Sequence, residues 1–121
     1  MTVSNFIQQL KYIASLPTVY PSGSHANWGT WNGSEWEFDC VLLIKSVLWG
    51  WNGNKNVKYG GATYGSNGVL DFSASNPPVE SVETSFHYLY PGEVVWMSTT
   101  DHIGVYIGQG VVIECTASWD N

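Results

Sequence analysis

From Asp39 to Trp49 the chain reads Asp-Cys-Val-Leu-Leu-Ile-Lys-Ser-Val-Leu-Trp, a run that is apolar on nearly every side of a helical wheel. Such a helix has no face to give to water and must be enclosed on all sides. A chain of 121 residues is long enough to build one such enclosure and too short for two, so residues 1–121 are expected to form a single domain around it. Asp39 is a good N-cap, and Gly50 with Asn52-Gly53 closes the far end.

The flanking sequence supplies the enclosing layers. Val3, Phe6, Ile7, Leu10, Ile13 and Ala14 recur at helical spacing from Thr2 to Leu16, and Pro17 ends the pattern. Residues 18–37 carry Pro21, Gly23, Gly29 and Gly33 with no periodicity and read as a long irregular loop. Residues 54–70 read as a second loop, residues 79–88 as a short helix opened by Pro77-Pro78, and Pro91-Gly92 as a turn. The period then becomes strand-like. Val94-Val95-Trp96-Met97, His102 to Ile107 and Val111 to Cys115 read as consecutive antiparallel strands. Helices first and strands last is the α+β order, with N-terminal helices packed on a C-terminal antiparallel sheet.

Charge excludes one large class. Four Lys, no Arg and ten acidic residues leave a formal charge of −6, so no basic face exists to neutralise nucleic-acid phosphates. No apolar run approaches the roughly 18 residues of a membrane span, and the first residues lack a basic n-region and an apolar h-region. Neither a membrane segment nor a secretion signal is expected. The two cysteines could form at most one bridge.

Three residues carry the chemistry. Cys40 follows the cap, where unpaired backbone N–H groups stabilise a thiolate. The bland alternative is a small buried hydrophobe. In the strand that follows Asp101, Ile103, Val105 and Ile107 share one face and His102, Gly104 and Tyr106 the other. Gly104 leaves room beside His102 for another element or a substrate. A three-residue loop, Gly108-Gln109-Gly110, would pair Ile107 with Val111, Val105 with Ile113 and Ile103 with Cys115. Glu114 then lies across from Gly104 and diagonal to His102, where a carboxylate can orient an imidazole and stabilise its charged form. Its alternative is an exposed strand carboxylate, and that of His25 and His87 is solvent contact. Cys115 falls on the apolar face and reads as structural.

Taken together, Phe38-Asp39-Cys40 opening an apolar helix, Pro91-Gly92-Glu93-Val94-Val95-Trp96, His102-Ile103-Gly104-Val105-Tyr106-Ile107-Gly108 and Val112-Ile113-Glu114 resemble the NlpC/p-sixty papain-like peptidoglycan hydrolases. The resemblance covers roughly residues 16–116. It implies a papain-like fold with Cys40 as nucleophile, His102 as base and Glu114 as the group that orients it. Tyr20 matches the family tyrosine that binds substrate and shapes the oxyanion site. Three departures stand out: bulky Val41-Leu42-Leu43 follows the Cys, the third position is Glu where the family more often has His, Asn or Gln, and the loop after Tyr20 that holds Trp28, Trp31 and Trp36 is longer than usual.

The implied activity is a cysteine endopeptidase of bacterial peptidoglycan that cuts between D-glutamate and the following diamino acid. No metal or other cofactor is implied, and a monomer is expected. By analogy the chain is expected to act at the wall either as the catalytic module of a phage lysin released from the host cytoplasm through a holin, or as a fragment of a larger protein. Substrate is expected to meet Tyr20, Asp39, Trp28, Trp31 and Trp36, although the three Trp could equally plug the core. Two rivals remain open. One is a CHAP-like amidase, whose His-to-acid spacing is typically longer. The other is a non-catalytic module that stacks glycans on its many aromatic rings. Dye release from purified walls, with and without a thiol alkylator, separates catalysis from binding.

Overall fold

The computed structural model describes residues 1–21, 29–56, 88–97 and 102–117. Helix α1 (Val3–Ala14) starts at Thr2, whose hydroxyl accepts from the Asn5 N–H at 3.1 Å. It ends where the Ser15 hydroxyl donates to the Tyr12 carbonyl, two residues before Pro17. Phe6, Leu10 and Ile13 form its buried stripe, at the helical spacing read from the sequence. Helix α2 (Cys40–Leu48) is capped by Asp39, which accepts from the Leu42 N–H at 2.6 Å, and every residue from Cys40 to Val47 is buried. Gly50 follows at φ 87°, a left-handed conformation that suits a helix end.

The segment expected to be an irregular loop contains a small sheet. Strands β1 (Thr18–Val19), β2 (Thr30–Trp31) and β3 (Trp36–Glu37) are ordered β1-β3-β2. Strands β1 and β3 run parallel, and β2 and β3 antiparallel. Two-residue strands are too short to display the alternation that reveals a strand in sequence. The helix expected at residues 79–88 and most of the loop expected at 54–70 fall outside the described residues.

The second sheet joins β4 (Val94–Met97), β5 (His102–Gly108) and β6 (Val111–Glu114) in that order, all antiparallel. Gly104 pairs with Glu114 and Val105 with Ile113, which is the register the aliphatic alternation requires. The hairpin end differs from the expected three-residue loop. Gly108, not Ile107, pairs with Val111, and the ladder shifts between Tyr106 and Gly108. The turn is Gln109-Gly110, both left-handed at φ 54° and 75°. Two central residues at positive φ match the twist of the flanking strands, and a bulge absorbs the extra residue.

Helix α2 packs against α1 on one side and β5 on the other, and α1 also reaches β6. The core gathers Phe6, Leu10 and Ile13 with the α2 side chains, Ile103 and Val105. The architecture is therefore α+β, with α2 at its centre. Among the described residues no helix is long and apolar enough to cross a membrane.

Three Trp side chains that the sequence leaves ambiguous receive different places. Trp36 is 4% exposed, packed edge-on against Trp51 at 4.9 Å between ring centroids and against Trp31 at 5.2 Å. It is a core residue, which corrects the expectation that it lines a substrate cleft: an enclosed ring offers no face to a ligand. Trp31 is half-buried, with the Lys55 ammonium 3.8 Å from its ring centroid. Trp28, with His25, His87 and Asp101, lies outside the described residues.

Candidate active site

Cys40 is the first residue of α2, and its side chain belongs to the core cluster together with Ile103 of β5. The backbone N–H groups of Ile103, Val41 and Cys40 itself point at the sulfur, the last two because they begin the helix. These donors favour the thiolate. Burial, and after it the neighbouring Asp39 carboxylate, act more strongly the other way and push the thiol above its ordinary value. The sequence expectation of a thiolate stabilised by the helix start is thus corrected: the N–H groups are in place, but enclosure and Asp39 outweigh them. At rest Cys40 is a thiol, and ionising it requires a base.

His102 opens β5, next in the chain to the Ile103 N–H that faces the sulfur. Its Nε2 lies 2.8 Å from Glu114 Oε2, with the two side chains 16% and 17% exposed. The oxygen sits at ion-pair distance but off the axis of the N–H bond, so the contact lacks the alignment of a full hydrogen bond. Nε2 is thus the ring nitrogen turned to Glu114. The two residues meet across the β5–β6 ladder, diagonally, beside the Gly104–Glu114 pair.

Tyr20, one residue beyond β1, directs its hydroxyl at the Cys40 thiol. Its own ionisation is pushed upward, first by burial and then by the nearby ionisable groups Cys40, Asp39 and Cys115, so it is held as a hydrogen-bond donor. Asp39, expected to meet substrate, is placed as the α2 cap, with Oδ1 committed to the Leu42 N–H. Cys115 lies just past β6, and its thiol donates to the Phe38 carbonyl at 3.3 Å. Burial, followed by Asp39, Cys40 and Glu114, pushes that thiol up to about 12, which favours a structural thiol.

The structure thus groups Cys40 with Tyr20 and Asp39 at the start of α2, places the His102–Glu114 pair beside it in the chain through Ile103, and encloses Trp36 in the core. A cleft of about 220 Å³ opens between the end of α1, β1 and β6, with Thr18, Tyr20, Glu114 and Thr116 on its banks; Cys40 and His102 do not line it. Among the described residues no three His, Cys, Asp or Glu side chains converge as metal ligands. The Ile103 N–H is a functional group that the sequence reading missed, because a backbone donor leaves no mark in residue type. A thiol, an imidazole, a carboxylate and N–H donors are the kinds of group that acyl transfer uses. No protein-family model matches this chain, and no curated protein or solved structure matches it either.

Proposed function

We propose that the chain is a cysteine peptidase of bacterial peptidoglycan, built on a papain-like arrangement of α2 against the β4–β6 sheet. The observation that carries this reading is the juxtaposition at the start of β5. The Ile103 N–H faces the Cys40 sulfur, and the adjacent His102 holds Glu114 at 2.8 Å. The peptidoglycan substrate and the bond cut, D-glutamate to diamino acid, come from the resemblance of the motifs around Cys40, His102 and Glu114.

Because Cys40 rests as a thiol, the first step is transfer of its proton to His102 as the sulfur attacks a stem-peptide carbonyl. Glu114 stabilises the imidazolium so formed. The backbone N–H of Cys40 and the Tyr20 hydroxyl, which meet the sulfur before substrate arrives, are free to donate to the oxygen that becomes negative once the sulfur is bonded to the carbonyl carbon. His102 then gives its proton to the leaving amine, which frees one peptide fragment and leaves a thioester. Water, deprotonated by His102, cleaves the thioester and restores the thiol.

The test is dye release from purified walls by the wild type, by Cys40→Ser and by alkylated protein, followed by mass spectrometry of the soluble fragments. Release is expected from the wild type alone, with a new free amine on the diamino acid. Wall binding without release, unchanged by alkylation, would replace this reading with a non-catalytic module.

A further inference from the structure

Gly104 sits in the middle of β5, buried, directly opposite Glu114. Its backbone is not at positive φ, so nothing in its conformation calls for glycine. What glycine supplies here is the absence of a side chain. A Cβ at this position would lie 2.7 Å from Val112 Cγ1, 3.0 Å from the Ile113 carbonyl oxygen and 3.2 Å from Glu114 Cβ. All three obstacles belong to β6. The Ile113 oxygen is backbone and the Glu114 Cβ is fixed to it, so only displacement of the strand would relieve them. Glycine weakens a strand interior, and the usual return is a close approach by a neighbour. Here the neighbour is the stretch of β6 that aims the Glu114 carboxylate at His102 Nε2. Relieving the two fixed contacts moves β6 outward by a few tenths of an ångström, and the carboxylate that meets His102 Nε2 at 2.8 Å moves with it.

We propose that Gly104 is a positioning residue: its missing side chain keeps β6 close enough for Glu114 to hold His102 in the orientation that serves Cys40. The proposal rests on the reading of Cys40 and His102 as nucleophile and base, but not on the identity of the substrate. Gly104 touches no reacting atom, and its whole effect passes through Glu114.

The experiment is a double-mutant cycle of Gly104→Ala and Glu114→Ala with two readouts. The first is the rate of Cys40 alkylation by iodoacetamide, which requires no substrate. The second is wall lysis, resolved into turnover and half-saturation. A misplacement of about 1 Å costs about a hundredfold in rate, so a shift of a few tenths of an ångström costs on the order of two- to tenfold. Gly104→Ala is expected to lose that much turnover and alkylation rate at unchanged half-saturation. The double variant is expected to be no slower than Glu114→Ala alone, because a contact already removed cannot be removed again. Losses that multiply in the double variant would assign Gly104 an independent structural role and overturn the proposal. So would wild-type rates in Gly104→Ala, or in Glu114→Ala. Should Gly104→Ala fail to fold, the cycle is run in a Val112→Ala background, which removes the nearest obstacle and leaves the two that bear on Glu114. A non-multiplying cycle in alkylation without any wall lysis would refute the peptidoglycan reading and leave the positioning role standing.

Discussion

Asp39 has two physical roles that substitution can separate. Its Oδ1 accepts from the Leu42 N–H at 2.6 Å and caps α2, while its charge raises the Cys40 thiol. Asparagine caps a helix about as well as aspartate but carries no charge, whereas alanine does neither. Losing the cap costs about 1 kcal/mol. With an unfolding entropy of about 2.1 cal/mol/K per residue over 121 residues, that corresponds to a melting temperature about 4 °C lower. Asp39→Ala should show this drop, and Asp39→Asn should melt within about 1 °C of wild type. Both should move the inflection of Cys40 alkylation against pH downward, because the carboxylate that opposes the thiolate is gone and the N–H donors remain. The assay is the iodoacetamide rate across a pH series, run in a Cys115→Ala background so that one thiol is read, beside thermal melts. An unmoved inflection in Asp39→Asn would refute the claim that this charge holds the proton on sulfur. A melting temperature as low as that of Asp39→Ala would refute the separation of the two roles.

Cys115 predicts an alkaline weakness. Its thiol is raised from 9.0 to about 12 in the folded protein, so the unfolded chain releases this proton first, and the stabilisation present below pH 9.0 falls away as pH climbs toward 12. Cys115→Ala should flatten the urea-measured decline by up to about 1.4 kcal/mol per pH unit in that window, and parallel declines would show that the thiol ionises equally in both states. Trp36→Ala should cost about 3–5 kcal/mol by opening a cavity, read as a large drop in denaturant midpoint. Trp31→Ala should cost clearly less, because its half-buried ring leaves fewer contacts to lose, and equal costs would contradict the placement of Trp36 at the centre of the aromatic cluster.

What could be read from sequence was whatever announces itself locally. Asp39, the apolar run and Gly50 mark α2 within a dozen residues, and the alternation of Ile103, Val105 and Ile107 fixes the face on which His102 and Glu114 meet. The small sheet leaves no such mark. Trp36 joins it through an N–H bond to the Pro17 carbonyl at 2.9 Å, a partner nineteen residues away that no pattern links to it. Trp31 and Trp36 have similar neighbours in the chain, and only Trp51, arriving from beyond α2, decides which is enclosed. The turn was misjudged for a different reason: Gln109 adopts positive φ without being glycine, and residue type alone does not reveal that. The direction of the Cys40 shift was in principle available, since a helix that is apolar all round must bury its first residue. Weighing that burial and Asp39 against the helix start required the distances.

The burial of α2 from Cys40 to Val47, with even Lys45 only 1% exposed, also governs how this protein can vary. Functional residues are commonly carried on loops that can drift while a separate scaffold stays fixed, and the proposed role of Cys40 would break that pattern. Here one nine-residue helix is both mount and scaffold, so a change in side-chain volume at Leu42, Ile44 or Val47 shifts the sulfur as well as the packing. A library randomised across this helix should therefore lose activity and foldedness together. Variants that fold but are inactive should cluster at Cys40, and new specificities should arise in β1 and in the residues after β6, where the cleft has room to change.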